Sequence, residues 1–343
     1  MRRLVSPLLI LALTLGFLAA PVSAVAAAKV TIKLALSVPD SALKQPQGSK
    51  AFKNYVEFRS GGDIEVKLFF AQFGGEREIV QQIQQGTLDM SVPSDGALAS
   101  FDKNIQVLSI PYLFPSSPVA WKFFEHPFAR KMAEDLRQKT GVRVLTYAEN
   151  GFRNFTNNVR EIRTPADMKG LKMRTMESPV YMRLMQSLGA AATPISFAEL
   201  VMSLQQKVVD GQENAIQDIY ENGMVDVQKF LSLDEHIFGI QFLVIGEKFF
   251  RGLSDHHKQI VLEGAMVYAS LANALQARSQ SEYIEKIKAK GLKVYINTPE
   301  EKEQFRKLSQ DPVKQFIAQQ VGNELVNGLM SAVEESKKAV YDY

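Results

Sequence analysis

Arg174 is the residue around which chemistry can be built. It lies in the stretch Leu171–Pro179, LKMRTMESP, whose alternation suits a short strand with Leu171, Met173 and Thr175 on one face and Lys172 and Arg174 on the other. A guanidinium taken out of water without a partner costs several kcal/mol. The nearest acid in sequence, Glu177, falls past the end of that strand. In open α/β sheets, ligands bind beyond the carboxyl ends of the strands, and the rigid fork of an arginine matches the two oxygens of a carboxylate. A buried arginine at such an end, unanswered from within, fits a bound carboxylate. An ion pair with an acid distant in sequence is the other reading the residues allow.

The surrounding segment, residues 151–214, holds further candidates. Arg153 occupies a second strand position near a turn, as an inter-segment hydrogen bonder or a ligand contact. Ser196 and Glu199 match a capping box opening the helix LVMSLQQKVV, and Phe197 stands at its entry, either as core or as a wall for a small acid's carbon skeleton. The run Asp210, Gly211, Gln212, Glu213, Asn214 reads as a turn, in which Asn214 ties down local backbone or faces the ligand.

Other chemistries find little support. Of the four histidines, His126, His236, His256 and His257, the adjacent pair points to different faces of a helix start. With no cysteine and no H-E-x-x-H, a zinc site is not expected. GGERE and SGGD lack the strand–GxGxxG–helix context of a dinucleotide site, and no G-x-S-x-G elbow occurs. No catalytic residue, metal or cofactor is assigned. The Met-rich stretch 176–185 reads as core.

The elements that must position these residues form an α/β alternation. Strands are expected at 30–36, 64–70, 88–92, 142–147, 152–156, 171–175, 236–245 and 293–297, with helices between them and a long helical region from Ser254 to about Lys290. Such spacing implies right-handed crossovers and largely parallel sheets. The pattern restarts near residue 151 and the chain returns after residue 240. This suggests two lobes: 29–150 plus about 240–280, and 151–239 plus about 281–343, joined by several crossings that permit closure. A chain of 343 residues is long for one core and suits two lobes.

Residues 1–28 have a basic start, an apolar run of about sixteen residues and then small residues, the pattern of a cleaved secretory signal. No other run approaches the length of a membrane helix. The absence of cysteine excludes disulfides and lipid attachment through an N-terminal cysteine. Removing residues 1–28 takes away Arg2 and Arg3 and no acid, so the formal charge falls from +3 to +1. Near-neutrality argues against nucleic acid or an anionic membrane as partner.

Four motifs carry a resemblance: G-x-R-x-F-T (151–156), T-P-A-D-M-K-G-L-K-M-R (164–174), L-G-A…T-P-I-S-F-A-E-L (188–200) and V-D-G-Q-E-N (209–214). The segment resembles the solute-binding subunits of the tripartite ATP-independent periplasmic (TRAP) transporters, the DctP family, with weaker matches at 74–92, 108–114 and 227–236. The resemblance implies a two-lobed periplasmic binding protein with a long helix spanning the lobes, soluble and monomeric. It would close on an organic acid and deliver it to membrane permease subunits driven by an ion gradient. It places the ligand-carboxylate arginine on Arg174 and a secondary polar contact on Arg153. Asn214 and Phe197 take the positions of the family's asparagine and aromatic. Ser94, after the strand at 88–92, and Gln241 complete the set as first-lobe or hinge contacts. Two departures stand out: Lys207 where the family usually has glycine, and Ala215 where it usually has proline. An exported enzyme acting on small acids, or a ligand sensor for a membrane receptor, are the alternatives.

Overall fold

The computed structural model describes residues 30–342; the leader expected over 1–28 lies outside them. The first half opens with β1 (Val30–Leu36), α1 (Lys44–Arg59), β2 (Ile64–Phe70), α2 (Glu76–Gln85), β3 (Met90–Ser91) and α3 (Asp95–Leu98). Helices α4 (Ser117–Glu125) and α5 (Pro127–Thr140) lead into β4 (Val142–Asn157). Then come β5 (Lys172–Thr175), α6 (Pro179–Ser187), β6 (Ala191–Pro194), α7 (Leu200–Gln205), β7 (Gly211–Ala215) and α8 (Ile216–Glu221). The chain closes with β8 (Phe230–Gly246), α9 (Glu247–Gly252), α10 (Asp255–Ala289), β9 (Lys293–Ile296), α11 (Pro299–Val321) and α12 (Asn323–Tyr341).

The nine strands of the described residues join one sheet, in the order β2-β1-β3-β8-β4-β7-β5-β6, with β9 added beside β8. At one end β1 runs parallel to β2 and β3; at the other β5 runs parallel to β6 and β7. The expected parallel units are therefore present, but antiparallel pairing of β4 with β8 joins them. The strands expected separately at 142–147 and 152–156 are one strand, β4, and the strand expected at 236–245 extends back to Phe230 in β8. Irregularities at Val144/Thr146, Glu149/Gly151 and Arg153/Phe155 let this pair bend without ending. Gly151, with φ at 106°, sits at the middle one.

Residues 211–215, expected as a turn, form β7. Its residues are polar yet buried, because β4 on one side and β5 on the other supply backbone partners. Alternation of apolar residues, the usual sign of a strand, is missing there. The helix after Ser196 is shorter than expected. A 3₁₀ turn at Phe197–Glu199 precedes α7, the Ser196 hydroxyl donates to the Glu199 side chain at 2.8 Å, and the chain leaves the helix at Lys207 with φ +60°. That is a left-handed conformation which glycine would adopt at less cost.

Helix α10 packs against α1, β4, α8 and β9, so it touches both ends of the sheet. Its stretch Asp255–Arg278 does reach the length and apolarity of a membrane helix. The reason lies in packing: a Cβ at Gly264 would fall 2.6 Å from the Val56 side chain, and one at Gly48 would fall 2.8 Å from Tyr268, so α1 and α10 are in close contact. Helix α11 packs on α6, whereas α12 packs on α4 and α5, so the 281–343 stretch reaches both ends of the sheet.

The tightest approach is between β4 and β7. A Cβ on Gly211 would stand 2.1 Å from the Thr156 carbonyl oxygen and 2.7 Å from the Asn157 Cβ. Gly211→Ala should therefore cost about 3 kcal/mol, since backbone rather than a flexible side chain has to give way. Urea unfolding checks this; a variant as stable as the parent would contradict the register assigned to these strands.

Candidate functional site

The carboxyl ends of the parallel strands face one another across the β4–β8 ribbon. Leu36 ends β1, Val92 and Ser94 follow β3, Met176 follows β5 and Phe197 follows β6. These residues, with Asn150 and Arg153 of β4, Asn214 of β7, Gln241 of β8, Gln45 of α1, Glu76 of α2 and Asp218 of α8, line a single cavity. The six candidates named from the sequence, Arg174, Arg153, Asn214, Phe197, Ser94 and Gln241, all lie in this wall.

Arg174 is 1% exposed. Its Nε donates to the Ile195 carbonyl at 2.8 Å, while Nη1 is buried with no hydrogen-bond partner. No acidic side chain among the described residues pairs with it. Burial pushes its pKa down to about 10; Glu213 and Glu76 oppose this from a distance, and Arg153 adds to it. The guanidinium thus stays charged at neutral pH although buried, with Nη1 unused.

Arg153 differs. Its Nε donates to a Glu213 carboxylate oxygen, and its Nη2 reaches the other oxygen at 2.9 Å and the Glu213 carbonyl at 2.7 Å. The guanidinium also lies over the Tyr181 ring, 5.6 Å from its centroid. Glu213 is completely buried, which alone would raise its pKa, yet Arg153 and His236 hold it down to about 2. The two strand arginines therefore do different jobs: one is neutralised, the other is not. His236 extends the network, with Nδ1 2.8 Å from Asp234 and Nε2 3.4 Å from Glu213, stacked on Phe155 at 4.2 Å.

Ser94 donates its hydroxyl to Glu76 and pairs by backbone with Gln241, which ties β3, α2 and β8 together at the cavity wall. Asn214 accepts the Ala215 N–H at 2.9 Å through its own Oδ1, and its Nδ2 has no acceptor among the described residues. Phe197 is half-buried and packs on apolar residues from both ends of the sheet. Behind Gln45 and Asp218 lies a buried ion pair, Lys44 to Asp218 at 3.0 Å, which links α1 to α8.

Sequence reasoning missed Glu76, Gln45, Asn150, Asp218 and the Glu213–His236 network. Glu76 has the appearance of any acid in a helix's first turn, and only the chain's return brings Asp218 to Lys44 across 174 positions. No group of three or more acidic or histidine side chains able to hold a metal occurs among the described residues.

A cleft between two parallel-stranded units, crossed by two long strands and one long helix, defines a two-lobed ligand-binding protein. The chain belongs to the DctP family, described as bacterial extracellular solute-binding proteins, family 7, whose family model matches residues 37–320. The TRAP resemblance read from the motifs holds. A solute-binding protein of Verminephrobacter eiseniae is 33% identical over 275 residues, covering 80% of this chain and 82% of that one. The 2,3-diketo-L-gulonate-binding periplasmic protein YiaO of Escherichia coli is 31% identical over 280 residues, 81% and 84% of the two chains. Among solved structures, the sugar acid binding protein DctPAm of Advenella mimigardefordensis, in complex with galactonate, superposes with a TM-score of 0.85 at 28% identity, covering 89% of this chain and 98% of that one.

The buried network makes a pH prediction. Burial alone would lower the pKa of His236, but Asp234 and Glu213 raise it from 6.5 to about 9. A raised folded-state pKa contributes stability that is complete below 6.5 and is lost as the pH climbs through about 9. Urea unfolding between pH 6.5 and 9.5 should show a loss of about 2 kcal/mol, a slope that His236→Gln removes. Equal slopes in parent and variant would contradict a charged His236.

Proposed function

We propose that this protein is the substrate-capturing component of a TRAP transporter: it closes over a small organic carboxylate and presents it to a membrane permease. The observation that carries this reading is Arg174, buried with a free Nη1 in a cleft between two lobes. Galactonate and 2,3-diketo-L-gulonate, named for two of the relatives, are both sugar acids. An anion entering the cleft would supply Arg174 with the bidentate partner that the protein withholds.

We take β4, β8 and α10 as the crossings between lobes, and depart from the sequence reading in one place: α12, which packs on α4 and α5, goes with the first lobe rather than the second. Residues from β5, β6 and β7 hold the carboxylate; α1, α2 and β3 provide the opposite wall. A ligand contacting both walls gains its full interaction only on closure, and so shifts the open–closed population. The cavity encloses about 40 Å³, room for about three water molecules. An acid larger than this space requires the lobes to part as it enters.

An enzymatic reading finds no general base in the acid paired with Arg153. Glu213, the acid nearest Arg153, is committed to an ion pair and held far below neutral pKa, which disqualifies it as a general base. We place the protein in the periplasm as a soluble monomer after removal of its leader.

A thermal-shift screen of small acids tests the reading. A ligand at a hundred times its Kd stabilises by about 2.7 kcal/mol. Arg174→Ala should abolish the shift, and Arg174→Lys should weaken binding strongly because an ammonium lacks the bidentate fork. Undiminished binding by both variants would overturn the assignment, and conversion of the bound acid, followed by mass spectrometry, would revive the enzyme.

A further inference from the structure

The cavity's charges can be paired off. Arg153 is neutralised by Glu213 and Lys44 by Asp218, so Arg174 is the one guanidinium in the wall left for a ligand. Facing it from the other lobe is Glu76. Its Oε2 accepts both the Ser94 N–H at 3.2 Å and the Ser94 hydroxyl, while Oε1 makes no hydrogen bond among the described residues. Two amides in the same wall are also short of partners: Gln45 and Gln241, 3% and 4% exposed, each keep a buried side-chain oxygen with none.

Resting on the carboxylate reading above, we propose that the ligand is a monocarboxylate carrying hydroxyl groups, not a dicarboxylate, and that Glu76 with Gln45 and Gln241 selects it. A second carboxylate would meet Glu76 with no further unpaired cation to answer it, an arrangement that buried charges do not tolerate cheaply. A hydroxyl donates to Glu76 Oε1. It also satisfies an amide in either orientation, since it both donates and accepts, whereas a carboxylate only accepts. An ammonium would also suit Glu76 and the amide oxygens, but it adds a second cation to a wall that already holds Arg174; hydroxyls add none. Leaving such buried groups unpaired is what makes a hydrogen-bonding site reject the analogue that lacks the group.

The test is calorimetric titration of the full mature chain with matched acids at two lengths: erythronate, succinate, butyrate and 2-aminobutyrate at four carbons, gluconate and adipate at six. At one length or both, the hydroxylated acid should bind at least ~100-fold tighter than its dicarboxylate and its unsubstituted analogue. Glu76→Gln, which removes the charge and keeps the size, should narrow the ratio of hydroxylated acid to dicarboxylate at least ~10-fold. Should succinate or adipate bind as well as the hydroxylated acid, with Arg174→Ala abolishing both, the hydroxylated class falls and the carboxylate reading stands. Tighter binding of 2-aminobutyrate overturns the hydroxyl in favour of an ammonium. A ratio unmoved by Glu76→Gln removes Glu76 from the selection. Failure of every acid to bind overturns this inference and the carboxylate reading together.

Discussion

A guanidinium 1% exposed, with one nitrogen hydrogen-bonded to a main-chain carbonyl and another left without a partner, is the constraint on which the site is built. Taking such a charge out of water is unfavourable unless something answers it. Arg153, on β4 beyond the intervening β7, shows what an internally satisfied arginine looks like in the same fold: a carboxylate gripped by two nitrogens and an aromatic ring beneath. The contrast between the two separates an arginine that the protein satisfies from one that it does not. Burial has lowered the pKa of Arg174, and the opposing pull of Glu213 and Glu76 keeps it cationic.

The sheet explains how that charge is held. Parallel strands at each end aim their carboxyl termini at a shared cleft, which concentrates loop residues and helix starts there. Antiparallel β4 and β8 run through both ends, and the irregularity at Glu149/Gly151 bends them beside Asn150, a cavity residue. Two long strands and α10 resist twisting of one end against the other while allowing a bend. The Lys44–Asp218 pair and the Tyr181 hydroxyl on Asp95, 3.1 Å apart, fasten the two sides of the cleft in this conformation.

Much of this was legible in the sequence because the relevant signals are local. Apolar alternation marks β1, β2 and β5, and the arginine in LKMRT sits where no neighbouring acid can reach it. The family motifs between 151 and 214 added Asn214 and Phe197, whose residue types alone say little. What stayed hidden depends on long-range pairing. Strand β7 is polar and buried, so it lacks the pattern of a strand; its stability comes from β4 and β5 on either side. Continuity of β4 through residues 148–151 could not be seen, because Gly151 reads as a break when it is in fact a bend. Glu76 and Gln45 are ordinary helix residues until the lobes face each other. His236 owes its charge to Asp234 and Glu213, two and twenty-three positions away, through the fold alone.

The most direct test of the central claim is a crystal structure of the protein with its acid bound. The account predicts a carboxylate group within hydrogen-bond distance of Arg174 Nη1, with the Arg153–Glu213 pair still intact. A carboxylate bound elsewhere while Nη1 remains alone, or Arg174 closed upon Glu76 in its place, would contradict it.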